Sequence, residues 1–157
     1  EIWLMTNQVV NKCTNLDRTI SYRICNEAYF TGSRKQRAGW TRNATNQRRL
    51  KLNCLLCGKE NDTKKHLFTK CEATRYLFEE IRKQLESQIN QAINISPEEI
   101  YKNTYNKEHS GKVIKQYMKA KRVIFLWNMK LHLNNAYADD DDLLEIMTEA
   151  IQDETTT

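Results

Sequence analysis

Three cysteines and one histidine within eighteen residues constrain this chain more than any other feature. Cys54, Cys57, His66 and Cys71 follow the spacing C-x2-C-x8-H-x4-C. Thiolate sulfur and imidazole nitrogen suit zinc, and four such ligands complete a tetrahedron. The C-x2-C pair marks a sharp turn that aims two sulfurs at one ion. Gly58, directly after it, can take the positive φ that such a reversal needs. With four protein ligands no position is left for a catalytic water, so the spacing predicts one structural Zn²⁺ and not a hydrolytic centre. The competing account, free thiols packed in a core, fits poorly with an intervening loop of Gly, Asn, Asp and Lys. Cys13 and Cys25 lie in helix-like apolar patterns and are expected in the core. A disulfide between them would need an oxidising compartment, and the sequence carries no signal-peptide pattern. His109 and His132 are isolated and read as surface or core residues.

The chain has 157 residues, 39% of them apolar, with one Pro and four Gly. This composition suits one folded, helix-rich domain. The expected fold is all-α, a helical domain stapled by one CCHC zinc finger. Its parts would be N-terminal helices and a basic segment over 1–53, the finger over 54–71 and a helical region over 72–157. No apolar run approaches the ~20 residues that cross a bilayer, so an intracellular protein, nuclear or cytoplasmic, without a membrane partner is expected. Asn43 and Asn61 sit in glycosylation sequons. One of these falls between the expected zinc ligands, so both read as by-products of an Asn- and Thr-rich composition. The first residue is Glu1, not Met, which suggests a processed chain or a part of a longer one.

The net charge of +5 conceals an asymmetry. Residues 1–75 carry 15 Lys and Arg against 6 Asp and Glu, while residues 76–157 carry 10 against 14. Arg34, Lys35, Arg37, Arg42, Arg48, Arg49 and Lys51 fall within eighteen residues that contain no acid. The finger that follows adds Lys59, Lys64, Lys65 and Lys70. Such a basic tract next to a zinc module is the electrostatic footprint of a phosphate-backbone binder. The residues expected to contact nucleic acid are the seven cations of 34–51 with Lys64 and Lys65. Trp40 could stack on a base, although anchoring its loop to the core is the commoner role of such a residue. Phe68, between two ligands, is expected to form the small core of the finger.

Apolar periodicity places amphipathic helices over 2–11 and 16–30, the second on the stripe Leu16, Ile20, Ile24 and Ala28. Another is expected to begin near Cys71 and to hold Tyr76, Leu77, Ile81, Leu85, Ile89 and Ile93 on one face. Ser96, Pro97 and Glu99 spell a new helix start, with N-cap, first-turn proline and capping-box acid. After a polar loop over 103–111, a long helix over about 112–134 is apolar nearly all round and should be the central core helix. Lys112, Lys115, Lys119, Lys121 and Arg122 would give its first half a second basic edge. A short helix from Leu143 to Ile151 closes the chain, and no strand is expected.

Tyr137-Ala138-Asp139-Asp140 has the form of a metal-binding polymerase signature. Its surroundings argue against that role. A helix ends just before it, and Asp139–Asp142 suit the acid-rich first turn of the next helix, where carboxylates complement the dipole. No catalytic residue is expected.

The stretch from Arg49 through Cys54-Leu-Leu-Cys57-Gly-Lys-Glu to His66-Leu-Phe-Thr-Lys-Cys71 resembles the zinc-binding segment downstream of the polymerase in non-LTR (LINE-type) retrotransposon reverse transcriptases. Residues 21–34, from Ser21 to Arg34, resemble the helix and turn that precede that segment. The resemblance covers about 16–85. It departs from the family pattern at Glu60, which comes early in the loop, and at Thr69-Lys70, which replaces a more apolar pair. It implies a non-catalytic accessory region, attached to the rest of a reverse transcriptase, that grips element RNA or target DNA during target-primed reverse transcription. Such a region would have no small-molecule substrate. The alternative is a zinc-stapled interaction module whose basic face meets an acidic protein.

Overall fold

The computed structural model describes residues 19–20, 53–59, 63–105 and 109–152. The basic segment 34–51, Trp40, Cys13, Cys25, the whole of the expected helix over 2–11 and all but two residues of the one expected over 16–30 lie outside these residues. Of the expected second helix, Thr19 and Ile20 are helical and Ile20 is buried. Among the described residues the chain is mostly helical and has no strand. None of the described helices is long and apolar enough to cross a membrane.

A π turn, His66–Lys70, leads directly into α1, Glu72–Ile89. Then come α2, Pro97–Lys102, α3, Gly111–Asn134, and α4, Asp140–Ile151. Helix α3 is the central element expected from its pattern. Ile114, Met118, Ala120, Ile124 and Phe125 on it are almost fully buried, while α1 packs against α3 and α4, and both α1 and α2 pack against the π turn. Residues of the ligand segment, Leu55, Leu67 and Phe68, join the same core as Ile81 and Ile124. The metal-ligand segment and the helical body therefore share one hydrophobic interior.

Helix starts agree with local sequence chemistry. Ser96 accepts from the Glu99 amide at 3.2 Å, and Glu99 reaches back to the Ser96 amide at 3.5 Å. Asp139 and Asp142 form the second capping box, so α4 begins at Asp140, one turn before the expected Leu143. Each capping side chain contributes about 1 kcal/mol by satisfying amides that a helix leaves unbonded. The helix ends were harder to foresee. Asn90, Asn103 and Asn135 take φ of 52°, 58° and 48° and stop α1, α2 and α3 in the left-handed conformation, a role commonest for glycine.

Asn90 corrects the expected length of α1. Ile93 remains buried, but as part of a returning turn. Its amide donates to Glu86 at 2.7 Å, and Glu86 is itself ion-paired with Arg82. Tyr76 is also corrected. It is 58% exposed, because the buried stripe of α1 runs through Thr74, Leu77, Phe78, Ile81 and Leu85, and Tyr76 sits a helical step to one side.

The expected basic edge of α3 is corrected more strongly. Lys121 is fully buried and donates to the Tyr101 carbonyl at 3.2 Å and to Asn103 Oδ1 at 2.8 Å, at the end of α2. Lys119 is buried too and donates to the Gln152 carbonyl beyond α4, beside Gln116, which donates to the Ala150 carbonyl at 2.6 Å. Both lysines thus serve the carbonyl-rich C-terminal ends of other helices, where cations complement the dipole. Lys112 and Lys115 are exposed, as expected.

Replacing Phe68, fully buried against Tyr101 at a centroid distance of 6.1 Å, should show how far this core is shared. Phe68→Ala is expected to cost about 3–5 kcal/mol in urea unfolding of the whole cooperative unit. Leu144→Ser, at a 64% exposed site, should stay within about 0.5 kcal/mol of the parent.

Candidate metal centre

The four residues singled out by their spacing converge. The ligand atoms of Cys54, Cys57, His66 and Cys71 all lie within 4.8 Å of one another, and this is the one such group of His, Cys, Asp and Glu among the described residues. Cys54 Sγ lies 3.8 Å from Cys71 Sγ, and Cys57 Sγ lies 3.3 Å from His66 Nε2. A tetrahedral ion with thiolates at about 2.3 Å requires sulfur–sulfur edges of about 3.8 Å, and slightly shorter sulfur–nitrogen edges. The cluster can hold a metal ion with little rearrangement.

Three pieces of backbone bring the ligands together. At the Cys54–Cys57 turn, the Gly58 amide donates to the Cys54 carbonyl at 2.6 Å with Gly58 at φ +71°. The positive φ inferred from the C-x2-C-Gly pattern is therefore present. His66 enters through the π turn, its amide held by the Thr63 hydroxyl at 3.0 Å. Cys71 is the N-cap residue of α1, and its amide donates to the His66 carbonyl at 2.7 Å. That i→i+5 bond widens the turn, so that residues five apart stand on one side; in an α-helical turn they would diverge. Leu67 and Phe68, between the two ligands, point into the core and are fully buried. Phe68 is thus a core residue of the finger, as expected, and is not available for base stacking.

Burial divides the ligands. Cys54 and Cys71 are fully buried, His66 is nearly so, and Cys57 is half-exposed. The Cys71 thiol is drawn down from its ordinary value of 9.0 to about 5, chiefly because Cys54 donates a hydrogen bond to its sulfur. The opening turn of α1 at Ala73 and Thr74 favours the thiolate further, against the opposing effect of burial. The same contact, together with burial, pushes the Cys54 thiol upward. Without metal, the pair holds one proton between two sulfurs.

Tyr137 to Asp142, the polymerase-like decoy, braces this centre. The Ala138 amide donates to the Leu55 carbonyl at 2.8 Å, and the Tyr137 ring lies over Gly58, 3.8 Å from where a Cβ would stand. Asp139 and Asp142 are engaged in capping α4. Spacing alone could not reveal this strap, because it joins residues eighty positions apart; only the lack of flanking strands hinted that the motif had another use.

The cations of the finger are placed individually. Lys65 and Lys70 are exposed and Lys64 is half-buried. Lys59 is paired with Glu72 at 2.9 Å on the surface, which raises the lysine pKa and lowers that of the acid. Arg34, Lys35, Arg37, Arg42, Arg48, Arg49 and Lys51 lie outside the described residues. His132 is buried in α3 and His109 is half-buried, and neither belongs to the cluster.

Comparison with known proteins finds no match: no family model, no curated protein and no solved structure aligns with this chain.

Cobalt(II), a visible-light reporter for tetrahedral thiolate sites, should bind one equivalent and lose its characteristic absorption in Cys71→Ser or His66→Ala. Loss of a direct ligand should weaken affinity by more than the about 10–100-fold that outer-shell changes cost. Because the Cys71 pKa is depressed, its thiolate persists as pH falls from the ordinary thiol range towards about 5. In the metal-free protein its contribution to stability is lost as pH falls through that value. Metal binding must also displace the proton held by Cys54, so the cobalt absorption should weaken as pH is lowered.

Proposed function

We propose that Cys54, Cys57, His66 and Cys71 bind one structural zinc ion, and that the chain is a non-catalytic nucleic-acid-binding accessory domain. Its closest functional analogy is the region downstream of the polymerase in LINE-type reverse transcriptases, which grips element RNA or target DNA during target-primed reverse transcription. The observation that carries this reading is the convergence of the four ligands directly after a tract of seven cations without an acid. The donor set, three sulfurs and one imidazole, favours zinc over the harder cations that prefer oxygen. Zinc supplies a rigid cross-link between the Cys54–Cys57 turn and the start of α1.

The chain's own residues would do the rest. Arg34, Lys35, Arg37, Arg42, Arg48, Arg49 and Lys51 would neutralise phosphates, with Lys64 and Lys65 extending the contact across the ligand loop. The four-ligand shell argues for a grip with no hydrolytic role, and in the polymerase-like tetrapeptide Tyr137 lies on Gly58 and Asp139 caps α4. The remainder of a reverse-transcriptase polypeptide would be the natural partner. An acidic protein meeting the same cations is the rival reading, and it makes a different prediction.

Filter binding of zinc-loaded protein to single-stranded RNA and to duplex DNA, over a range of salt, tests the proposal. Binding should weaken steeply with salt. Reversing Arg48, Arg49 and Lys51 to Glu should lower the log–log salt slope by about 2 to 3 if all three meet phosphate. Unchanged affinity in a folded triple variant would exclude this placement. No binding to either nucleic acid would leave the acidic-protein reading in its place.

A further inference from the structure

Beside the ligand cluster, a groove of about 600 Å³ opens between the Cys54–Cys57 turn, α1 and α4. Its walls carry Leu56, Ala73, Tyr76, Leu143, Leu144 and Met147, above a floor of buried Leu77, Ile124 and Ile146. A single exposed apolar residue is ordinary on a protein surface. Here Tyr76 on α1 and Leu144 on α4, 58% and 64% exposed, stand at the same concave apolar feature, which is the form that binding grooves take.

The charge around the groove selects the occupant. From residue 135 to the C-terminus the chain carries eight Asp and Glu and no Lys, Arg or His. Asp139 and Asp142 are committed to the capping box, but Asp140 and Asp141 are exposed. Asp140, Leu143, Leu144 and Met147 follow the i, i+3, i+4, i+7 spacing, so an acid heads the very stripe of α4 that lines the groove. Glu72 lines the opposite wall. The cation beside it, Lys59, is already paired with Glu72. With Glu72 balanced by Lys59, the exposed acids that open α4 carry the negative charge here, and they repel a polynucleotide and attract a cationic chain.

We propose that this groove docks a basic peptide segment of a partner protein, with apolar side chains seated between Tyr76 and Leu144 and its Lys or Arg residues facing Asp140 at the head of α4. The proposal uses none of the residues of the cationic tract, so it stands whether or not that tract binds nucleic acid. The groove directly adjoins the half-exposed Cys57.

The test uses the full metal-loaded chain and a fluorescently labelled amphipathic Leu/Lys peptide, with the same peptide carrying Glu in place of Lys as its control. The expected result is saturable binding of the Lys peptide alone. Combining Leu144→Ser with Tyr76→Ser should weaken it by roughly tenfold or more, as loss of a central anchor does. Asp140→Asn should weaken it less and flatten its salt dependence. Circular dichroism melting checks that these surface variants remain folded. Equal binding of the Glu peptide, or indifference to Leu144→Ser with Tyr76→Ser, overturns the proposal. So does self-association in sedimentation that Leu144→Ser abolishes, which would make a second copy the occupant. Shielding of the Leu144 and Met147 methyls from a soluble paramagnetic agent in the peptide-free chain would likewise overturn it, in favour of another segment of this chain.

Discussion

The hydrogen bond from the Cys71 amide to the His66 carbonyl, 2.7 Å long, sets the geometry on which the rest of the described fold depends. It spans five residues where an α-helix would span four, and so it turns an imidazole and a thiol towards the same point. Between these two ligands the backbone must do something with four side chains. Leu67 and Phe68 enter the interior, and the polar Thr69 and Lys70 face outward. One turn therefore satisfies two demands at once, ligand convergence on one side and core filling on the other. Immediately afterwards α1 begins, with the fourth ligand as its N-cap residue, so the position of the longest wall of the groove is tied to the centre.

The helical body answers this arrangement from the far side. Phe68 lies against Tyr101, and the Lys121 ammonium lies 5.9 Å from the Phe68 ring while it serves the carbonyl end of α2. A buried cation is costly to desolvate, and the Lys121 charge is met by a helix-end carbonyl, an amide oxygen and an aromatic face. Lys119 acts in the same way for α4. The long stems of these lysines pack as apolar material along α3 and bring their charge to helix ends that would otherwise present bare carbonyls to the interior.

What could be read from the sequence was local. The ligand set, the Gly58 turn, the Ser96 capping box and the extent of α3 all follow from residues a few positions apart. The geometry in each case is short-range. What could not be read was long-range. Lys119 and Lys121 look like surface charges until their targets, more than fifteen residues away, are placed beside them. Tyr76 looks apolar and buried until the neighbouring stripe is seen to claim the core. Tyr137 and Ala138 look like part of a catalytic signature until they meet Gly58 and Leu55. Asn90 is an intermediate case. Its side chain tolerates the left-handed conformation, and in a chain with four glycines such an asparagine was the available signal for a helix end.

The two intervals in the ligand spacing are not equivalent. The four residues between His66 and Cys71 are locked by a hydrogen bond at their ends and by two core side chains within, so an insertion or deletion there would break ligation and packing together. The interval between Cys57 and His66 begins with exposed Gly58 and Lys59 and closes through exposed Lys65, with no core residue among its described positions. Loops of this kind absorb changes in length at small entropic cost. Descendants of a common ancestor should therefore keep the second interval and vary the first. A search pattern that holds both rigid would overlook relatives that share this centre.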